Sequence, residues 1–264
     1  MRKWLVYALL GVLVSLCGAA SATAQVFSDG HFDAPSVGFA SGNFFMVVHD
    51  HDNELDHDPA TSILVASPNA IVNRPSGSQW DFLGVGPGSP LWVLPATQLP
   101  GMLYLGASAE EVPSGTVSPW NPGDSRLPSG SFNWVRLNVL AVRGPGRFSA
   151  YTTDTFGNPI VWVARDSGGN AVPGGLPSSL FLLEGGHTHF NWAFSAEGDY
   201  EVDWQVTAFV GGNPVTSPAE TFFYRAAVVP EPSSLALAGL ASAGIAFTGR
   251  KLWRRRRRPR PSRS

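Results

Sequence analysis

Between Tyr200 and Ala208 every second residue is apolar: Tyr200, Val202, Trp204, Val206 and Ala208 alternate with Glu201, Asp203, Gln205 and Thr207. A period of two is the repeat of a β-strand with one dry and one wet face, and it does not fit the 3.6-residue repeat of a helix. The segments from Asn43 to Asp50, Val135 to Val142, Phe148 to Thr153, Ile160 to Ala164 and Thr221 to Ala226 read the same way. Turn chemistry such as GPG, FGNP, SGGN, PGG and GGNP separates such segments. No interior stretch shows a helical period over a useful length. The chain is therefore expected to be all-β, a single antiparallel β-sandwich of Ig-like or jelly-roll type with long loops. The stretch from Ala107 to Gly130, rich in Pro, Ser and Gly, is expected to be a long irregular loop or insertion.

The two ends differ from this interior. Arg2 and Lys3 precede an apolar run from Trp4 to Cys17, and small residues follow to Ala22-Thr23-Ala24. That order predicts a signal peptide over residues 1–24, helical and delivered to the Sec translocon, with the mature chain starting near Gln25. Cys17 is the only cysteine, so its removal excludes disulfides, cysteine metal sites and cysteine nucleophiles. At the other end, Pro230-Glu231-Pro232 is followed by an apolar segment, Leu235 to Thr248, and then by GRKLWRRRRRPRPSRS. Such a segment falls short of the roughly 20 residues of a permanent span. The arginines hold it on the cytoplasmic side by the positive-inside rule. Residues 25–229 remain as one domain, with 230–264 as a sorting tail.

Charge is divided unevenly between these parts. Eleven of the eighteen basic residues lie before residue 4 or from Arg250 onward, whereas all twenty acids lie between residues 25 and 231. The exported part thus sets seven cations against twenty anions, a net charge near −13 with histidines neutral. A surface of that sign repels nucleic acid and attracts cations.

All six histidines fall into two groups. His31, His49, His51 and His57 accompany an acid-rich stretch, HDHDNELDHD, while His187 and His189 sit in GGHTHFNW. On a strand, residues two apart share a face. His187 and His189 are therefore expected to face the same way as Asn191, with Phe190, Trp192 and Phe194 turned to the core. The same parity places His49 and His51 on one face, provided the strand from Phe44 continues that far. Neutral imidazoles suit zinc, copper and nickel, and neighbouring carboxylates complete or orient such sites. The candidate ligands are His31, His49, His51, His187 and His189 with nearby carboxylates, and zinc, copper and nickel all remain open as the ion. The acidic stretch lacks the glycine and terminal glutamate of an EF-hand loop.

Two resemblances sharpen these expectations. Pro230-Glu231-Pro232, a short apolar helix over 235–248 and a basic terminus, in that order from residue 229 to about 258, resemble a PEP-CTERM sorting signal. The resemblance implies a membrane exosortase that cuts near the motif, transient anchoring in the inner membrane, and transfer to the surface or matrix of a Gram-negative cell with an exopolysaccharide envelope. The interior is similar to bacterial surface proteins called choice-of-anchor M. The matching segments are GHFD (30–33), FFMVVHDHDNELDHDP, GSPLWVLPATQLPGMLYLGASAEE, VRLNVLAVRGPGRFSAY and EGGHTHFNWAFSAEGDYEVDWQVTA. It looks most like their PEP-CTERM branch repressed by the zinc-uptake regulator, which implies a role in zinc scarcity and a link to a metal-uptake system. The matched positions are His31, Asp33, His49, Asp50, His187, His189, Asn191 and Trp192, so the resemblance implies Asp33 and Asp50 as metal ligands beside the histidines and zinc as the ion. His51 and His57 sit where relatives often carry other polar or acidic residues.

The expected function is an exported, surface-anchored protein that captures or buffers zinc, not an enzyme. A structural or adhesive matrix protein without a metal is the alternative, and its aromatic residues would serve the core or stack on sugars. A metal-dependent hydrolase would need Glu110, Glu111 or Glu184 as general base. The chain has no HExxH motif or nucleophile elbow to support one.

Overall fold

The structure is a computed structural model that describes residues 24–168, 175 and 177–227. The signal segment through residue 23, Pro230, Glu231, Pro232 and the apolar segment 235–248 lie outside the described residues. Among the described residues no helix is long and apolar enough to cross a membrane.

The described chain is built from strands, as the period of two predicts. In chain order they are β1 (Gln25–Phe27), β2 (Gly30–Ala40), β3 (Asn43–Asp50), β4 (Leu55–His57), β5 (Ser62–Ala66), β6 (Ile71–Asn73), β7 (Pro90–Leu94) and β8 (Leu103–Glu111). They continue with β9 (Trp134–Arg143), β10 (Phe148–Thr153), β11 (Pro159–Arg165), β12 (Ser179–Leu183), β13 (His187–His189), β14 (Asn191–Phe194), β15 (Gly198–Val210), β16 (Asn213–Thr216) and β17 (Glu220–Ala226). The β15–β16 hairpin turns through Gly211 and Gly212, with φ of 57° and 78°. Two consecutive positive φ values are what a tight type I′ turn demands, and glycine meets them without strain.

The strands form three sheets rather than the two of a simple sandwich. A seven-stranded sheet runs β1-β5-β17-β15-β9-β12 with β16 on β15; a second runs β11-β10-β14-β7-β6, and a third β13-β8-β2-β3-β4. Nor is the pairing purely antiparallel: β1–β5, β5–β17 and β2–β8 are parallel. One buried cluster draws on all three sheets, with Trp192, Trp204, Phe148, Phe194 and Tyr224 fully enclosed. The stretch from Ala107 begins as strand, since Ala107 to Glu111 complete β8, and it becomes irregular only beyond. Val117 and Trp120 then make single bridges to Val210 and Phe132.

Two features of the fold place the site. The first is a crossing: β13 pairs with β8 in the third sheet, whereas β14 pairs with β7 and β10 in the second. Phe190, 1% exposed, marks the change of sheet. The indole N–H of Trp192 donates to the Leu105 carbonyl at 2.8 Å, tying β14 to β8 beneath the histidines. The second is a register shift in β2 between Asp33 and Ser36, seen against both neighbouring strands. Pro35 lies inside that shift and has no amide to donate, so the ladder is interrupted at a residue unable to serve it.

Candidate metal centre

Cross-strand register assembles the site. Asp33 on β2 is paired with His49 on β3 and with Gly106 on β8, and Gly106 is paired with His189 on β13. Paired residues lie on one face, so His49, Asp33, Gly106 and His189 form a single row across four strands. The flanking row pairs His31 with Tyr104. His51, just past β3, is held against β2 by its amide, which donates to the His31 carbonyl at 3.0 Å. The opposite face of these strands is apolar: Phe32, Val48, Leu105 and Ala107 are buried in the core.

The groups brought together this way touch directly. His31 Nε2 and His189 Nε2 are 3.1 Å apart. The His51 Nε2–H donates to Asp33 Oδ2 at 3.0 Å, and the His187 Nδ1–H donates to Glu110 Oε1 at 2.8 Å. The rings of His31 and His51 stack at 4.1 Å between centroids, and Tyr104 stacks on His189 at 3.6 Å. Two donor sets each have ligand atoms within 4.8 Å of one another: His31, Asp33 and His51, and Asp33, Glu110 and His187.

Asp33 is the centre of this arrangement and its oddest member. It is 0% exposed, and its Oδ1 is buried with no hydrogen-bond partner. A buried carboxylate oxygen without a donor costs about 1–3 kcal/mol or more. Gly106 makes the room for it, because a Cβ at that position would collide with Oδ1 and lie 3.1 Å from His189 Cε1.

Burial and neighbours divide the histidines electrostatically. Burial, aided by the neighbouring His31 and opposed by Asp33, lowers the His189 pKa to about 4. Burial and then His51 lower His31 as well. Both rings are therefore neutral at pH 7, with a lone pair to offer. The hydrogen bond that His187 donates to Glu110 raises its pKa. In His49 burial opposes the charge, but the hydrogen bond and charge of Asp56 outweigh it and raise the pKa.

Of the sequence candidates, His31, Asp33, His51, His187 and His189 converge. His49 stands at the margin: its ring meets His51 edge-on at 4.6 Å, and its Nδ1–H is given to Asp56 at 2.8 Å. Asp50 lies apart, opposite Phe32 on the core side of the sheet. Its oxygens accept from the amides of Asp52 and Asn53 and from the Asn53 side chain, which closes the turn after β3. His57 accompanies it, with Nε2 3.8 Å from Asp50 Oδ2. Asn191 does not share the histidine face, because the change of sheet at Phe190 intervenes. Its side chain accepts from Ala96 N and donates to the Tyr151 carbonyl.

Glu110 is the ligand-type residue that the sequence left among candidate bases. Its parity with Gly106 on β8 was the available signal, but only once β8 is seen to run through residue 111. Glu184 is committed elsewhere, accepting from Gly115 N, Val117 N and Asn133 Nδ2 and so clasping the loop after β8.

Residues 228–257 match the PEP-CTERM protein-sorting motif. The chain is accordingly an exported protein, processed by exosortase, transiently anchored in a membrane and sorted to the cell surface. No curated protein and no solved structure matches the chain.

Proposed function

We propose that this protein is a surface-sorted metal-binding protein that captures or buffers zinc at the cell envelope through the histidine face of the third sheet. The observation that carries this reading is the buried, half-unpaired Asp33 surrounded by His31, His51 and His189. A carboxylate placed there without a guanidinium or ammonium group leaves its compensation to an added cation. The spacing supports zinc. Ligands at 2.0–2.1 Å around a tetrahedral ion lie about 3.3 Å from one another, close to the 3.1 Å between His31 Nε2 and His189 Nε2. The resemblance to the choice-of-anchor M proteins, and to their zinc-regulated branch, points the same way and suggests a metal-uptake system of a Gram-negative envelope as the recipient.

Binding rather than catalysis is the proposed activity. Glu184 spends its carboxylate on the loop and Glu110 on His187; Glu111, next along β8, acts on His49 only through its charge. None of the three stands free beside the donor cluster as a general base would.

The test is a zinc titration of the purified, chelator-stripped full chain, followed by calorimetry. Stoichiometric binding is expected, together with its loss in the His187→Ala, His189→Ala double variant. An unchanged isotherm for that variant defeats the reading. Glycan binding that persists in chelator, with no zinc isotherm, would favour the matrix alternative instead.

A further inference from the structure

We infer, on the basis of the metal-binding reading above, that this face holds two divalent transition-metal ions that share the Asp33 carboxylate. Six side chains converge on the face, namely His31, Asp33, His51, Glu110, His187 and His189. A zinc-like ion takes four ligands. One ion therefore leaves two strong donors, imidazole or carboxylate, unexplained.

The geometry resolves the excess. The two donor sets overlap in Asp33 alone: His31 and His51 belong to the first, Glu110 and His187 to the second. His189 joins the first set through the 3.1 Å contact of its Nε2 with His31 Nε2. The first ion then has four protein ligands, three imidazoles and one carboxylate oxygen. The second has Asp33, Glu110 and His187, with a fourth position left for water.

Asp33 has the form such sharing requires. Its two oxygens have different surroundings: Oδ2 accepts from His51, while Oδ1 is buried, unpartnered and turned toward the gap above Gly106. A bridging carboxylate gives one oxygen to each ion, and paired ions of this kind sit about 3.5–4 Å apart. The contacts within each set, 3.1 Å for His31 to His189 and 2.8 Å for His187 to Glu110, join atoms that both offer lone pairs to a metal. A single proton holds each contact in the metal-free chain, and an ion replaces it.

The two positions differ in access. His31 and His189 are half-buried, whereas the side chains of His187 and Glu110 are 39% and 38% exposed. The inner position is closed and coordinatively complete, and the outer one is open to solvent and to exchange. A protein that only sequesters zinc needs the first kind of position; one that passes it on gains from the second.

The experiment is a metal count on the purified full chain, with copper(II) loading as a second readout. Two zinc ions per chain are expected, falling to one in the Glu110→Gln, His187→Gln double variant. In the copper-loaded parent, coupling between neighbouring ions should bring the integrated paramagnetic signal well below the copper content. One ion per chain in the parent overturns the two-ion inference and leaves the metal-binding reading intact; no ion at all overturns both. Two ions with a full spin count overturn the shared carboxylate. The parent's spin count decides the matter even if the double variant does not fold.

Discussion

Two wet faces of this molecule carry carboxylates, and they treat them in opposite ways. On β15, Glu201 and Asp203 meet the Arg143 guanidinium of β9 at 2.7 Å each, and Asp203 also accepts from Thr221. On β2, Asp33 meets only imidazoles and keeps one oxygen unpaired. The first face is self-sufficient, since both carboxylates meet a guanidinium within the fold. The second gathers donors that do not neutralise one another. Among the described residues five arginines (Arg74, Arg126, Arg143, Arg147 and Arg225) pair with carboxylates, and none of them lies on the histidine face. Carboxylates elsewhere in the described fold meet arginine; Asp33 meets imidazoles instead.

That contrast can be broken at several depths. The largest effect is expected where the support beneath the histidine face is removed. Trp192→Ala deletes a fully buried indole and its hydrogen bond to Leu105, and should cost about 3–5 kcal/mol in denaturant unfolding. A loss below about 1 kcal/mol would show that β8 does not depend on this anchor.

Next is Asp33→Asn. Zinc affinity should fall by about 100-fold, roughly 2.7 kcal/mol, while the metal-free chain unfolds at no lower denaturant concentration, because an unpaired buried carboxylate has been removed. A variant that loses stability and keeps zinc affinity would place Asp33 with the self-sufficient charges of β15. At equal zinc concentration the melting temperature of the parent should rise more than that of Asp33→Asn.

Gly106→Ala is smaller and more pointed. Its added methyl collides with Asp33 Oδ1 and displaces the carboxylate, while every ligand side chain keeps its chemical identity. Zinc affinity is expected to drop about tenfold, about 1.4 kcal/mol, and calorimetry on the folded variant measures it. Equal affinity for parent and variant would mean that Oδ1 does not face the ion.

The smallest effect belongs to β15. The Arg143 hydrogen bonds hold the Asp203 pKa below its ordinary value of 3.8. A group whose folded pKa is depressed contributes stability that is fully present above its unfolded pKa and is lost as pH falls through its folded pKa. Acid unfolding of the parent should therefore show a stability loss beginning near pH 4 that Asp203→Asn lacks. As a partly exposed ion pair it should amount to less than about 1 kcal/mol, and zinc affinity should not change. A zinc effect in this variant would break the separation of the two faces.

The local pattern of the chain was a good guide to its elements and a poor one to their assembly. The strands at Asn43–Asp50 and Phe148–Thr153 coincide with β3 and β10, because alternation and flanking turn residues act within a few positions of each other. β2 was hidden by Pro35, and the end of β8 by the Pro- and Ser-rich stretch that follows it. Parity alone placed His187 beside His189 and His49 beside His51, and their ring centroids are 5.5 and 4.6 Å apart. It failed for Asn191, since the period of two cannot register a change of sheet.

What the sequence determined by itself is therefore local and covalent: strands from alternation, turns from glycine pairs, a histidine-rich and cysteine-free domain, and a sorting motif at its end. Tertiary structure decided which distant residues meet. The row His49, Asp33, Gly106 and His189 exists because four strands pair in one register, and Glu110 enters the site through that register as well. Register is a long-range property, set by how whole strands bury their apolar faces against the common core, so no local spacing of residues encodes it.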